Sequence, residues 1–241
     1  MQAPLIVVPI AIEVTLLITT ISPLVFRQRF TKRPNLGIAL WLSSFLIAFS
    51  STVLAVGVSI WSIFDTWHAL ELHTRPLWQT VLISFAPWVV LGLAGISMAL
   101  FVQKFEPVLE LINEAENKKK LPSEHLCFFH GIEARVLNLP VWFAFTSGAG
   151  SKSTIYVSSK VVSSLNEQEL QAVLWHEYAH AVHRHNSIKA LVRLIRHMGG
   201  IVLASRVLAI EIERLCERAA DLYAARKTDE KVVRAARRNF E

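Results

Sequence analysis

The residues best suited to chemistry lie together in His176-Glu177-Tyr178-Ala179-His180. Two histidines four apart on a helix project from one face, a turn from each other, and can share one ion. Neutral imidazoles suit Zn²⁺ at about 2.0–2.1 Å. The glutamate directly after the first histidine flanks the open coordination position, where it can act on a bound water. A catalytic zinc takes a third protein ligand and keeps one position for water. Downstream, Glu213-Arg214-Leu215-Cys216-Glu217-Arg218-Ala219-Ala220-Asp221 offers carboxylates. Glu217 and Asp221 are again four apart, so one can ligate while the other orients a ligand histidine. Glu217 is the best candidate and Glu213, a turn earlier, its competitor. Salt bridging with Arg214 and Arg218 is the plainer account of all three acids.

These groups need a scaffold. Asn166 can cap a helix and Glu169 can reach back to it, a capping box with Asn in place of Ser or Thr. The helix so opened is predicted to run to about His185, with Leu170, Val173 and Leu174 on its buried face. Before it, Val141 to Phe145 and Thr154 to Ser158 read as short strands. The Gly- and Ser-rich turn material between them suggests a hairpin. A helix is predicted over about Ser123 to Leu137. Ser187 to Ile210 is apolar but carries Lys189, Arg193, Arg196 and Arg206, and Gly199-Gly200 interrupts it. It reads as a buried or membrane-lying amphipathic helix joining the two acid- and histidine-bearing segments. A span there would place Glu217 and His176 on opposite faces of a membrane.

The chain's 241 residues are 53% hydrophobic and only 18% charged, and the mean hydropathy is +0.41. Soluble domains carry about a quarter charged residues. The apolar excess is concentrated before Gln103, which divides the chain into a membrane domain, 1–104, and a globular domain, 105–241. Leu36 to Phe64 and Leu77 to Gln103 contain no Asp, Glu, Lys or Arg, and each is long enough to cross a bilayer. Leu5 to Phe26 holds one charge, Glu13. A cleaved signal peptide is its rival reading, but no basic stretch precedes it and no clear cleavage site follows. About three transmembrane helices are therefore expected. Glu13 either meets a polar partner within the membrane or lies neutral or nearer its surface.

Arg27, Arg29, Lys32 and Arg33 lie between the first two spans without an acid, whereas Asp65 to Pro76 has no basic excess. The bias toward basic residues on cytoplasmic loops turns the first loop inward. After three spans, everything beyond Gln103 faces the cytoplasm. The helix expected over Phe105 to Lys120 ends in three lysines, read as a solvated helix end rather than a headgroup contact. The same topological bias accounts for the net charge of +6. No basic stretch interleaved with aromatics accompanies that charge, so no nucleic-acid partner is expected. Cys127 and Cys216 have no paired spacing and read as free thiols.

Phe143-Ala144-Phe145, Ile155-Tyr156-Val157-Ser158 and Glu169-Leu170-Gln171-Ala172-Val173-Leu174, followed by HExxH and a later ExxxD, resemble the integral-membrane gluzincin peptidases. Two branches are similar: the BlaR/MecR-type antibiotic sensors, and the HtpX and CAAX prenyl-protease type. Three spans suit the former and His183-Arg184-His185-Asn186 the latter, and the balance favours the sensor-type branch. The resemblance implies a mainly α integral membrane protein whose spans precede a zincin-like α+β catalytic domain with a small β-hairpin. It implies that His176, His180 and Glu217 bind Zn²⁺, that Glu177 is the general base and that Asp221 supports the site. It also implies that Ile155, Tyr156 and Val157 receive an extended peptide along their strand's edge. No penicillin-recognising module accompanies these motifs, so antibiotic sensing does not carry over.

The expected function is zinc-dependent endopeptidase action on protein substrates from a bilayer, in a bacterial inner membrane, for regulatory proteolysis or membrane-protein quality control. His183, His185, Tyr223 and Arg226 are candidates for stabilising the oxyanion. A non-catalytic zinc-binding membrane regulator is the alternative, although a purely structural site has no need of Glu177. A transporter or channel component leaves the histidines unexplained. Substrate, trigger and oligomeric state are not legible at this level.

Overall fold

The computed structural model describes residues 3–26, 29–71, 78, 85, 89, 92–93, 123–148, 150–198 and 203–240. Its contacts form two units, Met1–Arg27 with Ala39–Glu106 and Gln28–Ile38 with Pro107–Glu241. Most described residues outside loops are helical, and one small sheet lies in the second unit.

In the first unit, α1 (Ala3–Phe26) packs along α2 (Pro34–Glu71). Ser51 Oγ donates to the Ala11 carbonyl at 2.8 Å, and the Phe26 and Trp41 rings meet edge-on at 5.7 Å. The two pairings run in opposite directions, so the helices are antiparallel. Hydroxyls that bond a neighbouring helix's carbonyls satisfy themselves where water is scarce. Ile6–Phe26 and Pro34–Ser62 are long and apolar enough to cross a membrane. Leu24, Trp61 and Phe64 are two-thirds or more exposed, an expense in water and none in lipid. Helix α2 continues past its charge-free run, so Asp65 and Glu71, expected in a loop, are helical. The expected third span, Leu77 to Gln103, lies outside the described residues apart from isolated positions, as does the helix expected over Phe105 to Lys120.

The second unit corrects the first prediction for the globular half. Residues 123–137 form a hairpin instead of a helix, with β1 (Ser123–Phe129) antiparallel to β2 (Ile132–Leu137). Ile132 and Ala134 face the core and their neighbours do not, the period-two pattern of a strand. The connection is His130-Gly131, both at positive φ (47° and 82°), as a two-residue turn matched to strand twist requires. Next come β3 (Ala144–Ser147) and β4 (Thr154–Ser158), joined through the short 3₁₀ turn Gly150–Lys152. Strand β3 starts three residues later than the predicted Val141.

The sheet order is β1-β2-β4-β3. Strand β4 lies inside, parallel to β2 and antiparallel to β3. Ile155 and Val157 are fully buried and Tyr156 nearly so. This overturns the expectation that Ile155, Tyr156 and Val157 offer an edge to a peptide: their backbone is paired on both sides and their side chains belong to the core. The edge nearest the histidine helix is β3.

Helices α3 (Ser159–Ser164), α4 (Glu167–Val182), α5 (His185–Met198), α6 (Leu203–Lys227) and α7 (Glu230–Arg238) follow. The predicted capping box opens α4: Asn166 Oδ1 accepts from the Glu169 amide at 2.9 Å, and Glu169 Oε2 accepts from the Asn166 amide at 3.2 Å. Val173, Leu174 and Ala181 join Ile155, Val157 and Val161 in the core between sheet and helix. Helix α4 also packs on α6 and α7, and α5 packs on α6. The segment read as one amphipathic helix, Ser187 to Ile210, is parts of α5 and α6. Val192 and Ile195 of α5 are buried while Leu191 is exposed.

Candidate metal centre

Helix α4 turns His176 and His180 to one side, with Nε2 atoms 3.1 Å apart. Helix α6 brings Glu217 to the same point: its Oε2 is 3.3 Å from His176 Nε2 and its Oε1 3.7 Å from His180 Nε2. The three groups offer donor atoms that all lie within 4.8 Å of one another. Ligands about 2.05 Å from a tetrahedral zinc are separated by about 3.3 Å. The observed separations bracket that value, so the residues fit the ion. Glu213, the competing acid, is occupied by Arg193 at 2.8 Å.

Behind each imidazole stands a second group. Asp221 Oδ1 lies 3.0 Å from His176 Nδ1, and its Oδ2 accepts from Arg237 Nη1 of α7 at 2.7 Å. A carboxylate at Nδ1 keeps the proton there and leaves the Nε2 lone pair for a metal. Burial opposes a charge on His176, but hydrogen bonds to Asp221 and Glu217 outweigh it and raise the pKa to about 10. Burial opposes charge on Glu217 too, yet the histidines and Lys189 hold its pKa well below the usual carboxylate range. Lys189 Nζ of α5 sits 2.5 Å from Glu217 Oε1.

Behind His180 lies His185, only 1% exposed, with Nδ1 3.1 Å from Nδ1 of His180. When His180 presents the lone pair of Nε2 to a metal, its Nδ1 carries the proton and His185 Nδ1 accepts it. His185 must then be neutral. Burial and the charges of His180, His183 and Lys189 push its pKa down to about 3. His185 therefore sits behind His180 and away from the cavity described below.

Glu177 lies beside the histidines, 8% exposed. Thr146 Oγ1 on β3 is 2.8 Å from both its carbonyl oxygen and its Oε2. Asn186 Nδ2 in turn donates to the Thr146 carbonyl at 2.6 Å. A cavity of about 250 Å³ opens over this group, walled by His176, Glu177, Glu217 and Asp221 with Ala144 of β3 and Phe240 among its other sides. Of the proposed oxyanion donors, none of His183, His185, Tyr223 and Arg226 lines it. Tyr223 packs instead among Trp175, Tyr178 and His183. Cys216 is fully buried, and burial raises its thiol pKa to about 12.

Thr146, Lys189 and Arg237 escape a reading of the sequence. Thr146 belongs to a strand whose register against α4 exists only in the fold, and Arg237 is one of several arginines on its helix.

Residues 103–239 match the family model of peptidase family M48. This chain belongs to peptidase family M48. Membership implies a metallopeptidase acting on protein or peptide substrates, and the M48 match encloses His176, Glu177, His180, Glu217 and Asp221. It does not separate the BlaR/MecR-type branch from the HtpX and CAAX type. No curated protein and no solved structure matches the chain.

Proposed function

We propose that this M48 member is a membrane-anchored, zinc-dependent endopeptidase that cleaves protein substrates at the cytoplasmic face of a bacterial plasma membrane. One observation carries the reading: Nε2 of His176, Nε2 of His180 and the carboxylate of Glu217 converge, and Glu177 lines the same cavity as His176 and Glu217. Membrane anchoring rests on the two apolar helices and the orientation on the basic 27–33 loop. Roles in regulatory proteolysis or membrane-protein quality control both suit such an enzyme.

His176, His180 and Glu217 hold zinc in this reading, and Asp221 fixes the His176 tautomer. The ion supplies a water of lowered pKa and a Lewis acid for the scissile carbonyl. Glu177 accepts the proton of the attacking water and returns it to the leaving amine. Thr146 holds the Glu177 carboxylate in place. An extended peptide pairs with the outer edge of β3, next to the cavity.

The test is zinc content and cleavage of casein and membrane-protein peptides by the full chain in detergent, beside Glu177→Gln. Zinc retained in both with cleavage confined to wild type supports the enzyme. Zinc in both with cleavage in neither supports a zinc-binding regulator, and a wild type that binds no zinc ends the reading.

A further inference from the structure

A second cavity, of about 450 Å³, adjoins the first and shares Asp221, Val233 and Arg237 with it. Four arginines line it, Arg218 from α6 and Arg234, Arg237 and Arg238 from α7, against the two acids Asp221 and Glu230. Both acids are already engaged: Asp221 by Arg237 and Glu230 by Arg234 at 2.5 Å. Helix-end electrostatics favours basic residues in the last turn of α7 and so accounts for Arg237 and Arg238. It does not account for Arg218, which comes from another helix, donates Nε to the Thr31 carbonyl at 3.3 Å and lines the same space.

Guanidinium groups gathered in a recess recognise carboxylates, because their planar forks match two oxygens at once. We infer that this arginine-lined cavity is a subsite for a carboxylate of the peptide substrate, so that the enzyme favours acidic substrates. The inference rests on the peptidase reading above, since the shared wall is what brings the subsite to the cleavage centre. That shared wall also favours peptide over lipid: a chain crossing the catalytic cavity reaches the arginines across Arg237 itself. The carboxylate is either an Asp or Glu side chain or the peptide's own C-terminus.

The test uses the full chain in detergent and fluorogenic peptide sets in which Glu is moved through each position, replaced by Gln or Lys, or left only as a free or amidated C-terminus. Wild type is expected to cleave the best acidic peptide about tenfold faster in kcat/KM than its Gln counterpart. Loss of preference on C-terminal amidation identifies the terminal carboxylate, and persistence identifies the side chain. Arg238→Glu, at an exposed position, is expected to shift preference from Glu toward Lys, a reversal that a merely structural role does not produce. Cleavage indifferent to charge overturns the inference and leaves the peptidase standing. If no peptide is cleaved at all, the peptidase reading fails. Fluorescence anisotropy of the same peptides on Glu177→Gln then still decides whether acidic ones bind tighter. Micelles doped with phosphatidylglycerol supply the rival ligand. Stabilisation of wild type but not Arg238→Glu by them, with no peptide charge preference, assigns the cavity to headgroups and overturns the proposal.

Discussion

The hydroxyl of Thr146 lies 2.8 Å from the Oε2 of Glu177 and equally close to that residue's carbonyl oxygen. A strand and a helix are thereby tied at the residue assigned as base, and Asn186 ties the strand again from α5. Thr146→Val keeps the shape and removes the hydroxyl. Supporting groups of this kind change activity by about 10–100-fold, and kcat is expected to fall in that range with zinc content unchanged. Steady-state kinetics alongside metal analysis checks it; equal kcat in the two proteins shows that Glu177 needs no such tether.

Asp221→Asn weakens the carboxylate behind His176 and leaves Arg237 facing an amide. Zinc affinity, measured by competition with a chromophoric chelator, is expected to drop by about 10–100-fold. An unchanged affinity means the tautomer is set without Asp221.

The pH dependence of metal-free stability follows from His185. Its pKa is about 3 in the fold and about 6.5 in an unfolded chain. The unfolded state binds the proton first as pH falls, so the stability from His185 is full above about pH 6.5 and is lost from there toward pH 3. The lowered pKa values of Glu217 and Asp221 act in the same direction. His176 runs the other way: its contribution is full below about pH 6.5 and is lost as pH rises toward 10. The Tm of the metal-free chain is expected to fall on acidification from pH 6.5, and His185→Gln to flatten that slope. Parallel slopes for the two proteins would count against a neutral buried His185.

Gly131 tests the corrected hairpin. Its φ is +82° and a Cβ there meets nothing within 4 Å, so any loss on substitution is backbone strain alone. Gly131→Val is expected to destabilise by about 1–2 kcal/mol, read as a lowered Tm, where a helix over 123–137 predicts no loss.

How far the sequence speaks depends on how local each signal is. Asn166, Glu169 and the two histidines act within a few residues on one helix, and the capping box and the shared face follow from spacing. Residues 123–137 carry a short run of apolar and polar residues that fits both periods, and the signal deciding for a hairpin is the single pair His130-Gly131. The place of β4 inside the sheet was hidden for another reason. Strand order depends on β2 pairing with β4 across the intervening β3, and nothing in Thr154 to Ser158 records it. Thr146 and Arg237 reach the site only through such long-range packing.

The Arg237–Asp221–His176 chain of contacts has a consequence for how the protein is made. Synthesis produces His176 on α4 three helices before Arg237 on α7. The imidazoles and Glu217 are on the growing polypeptide well before the guanidinium that completes their support. Domains fold as units, so the candidate metal site gains the support of Arg237 only once α7 has been made.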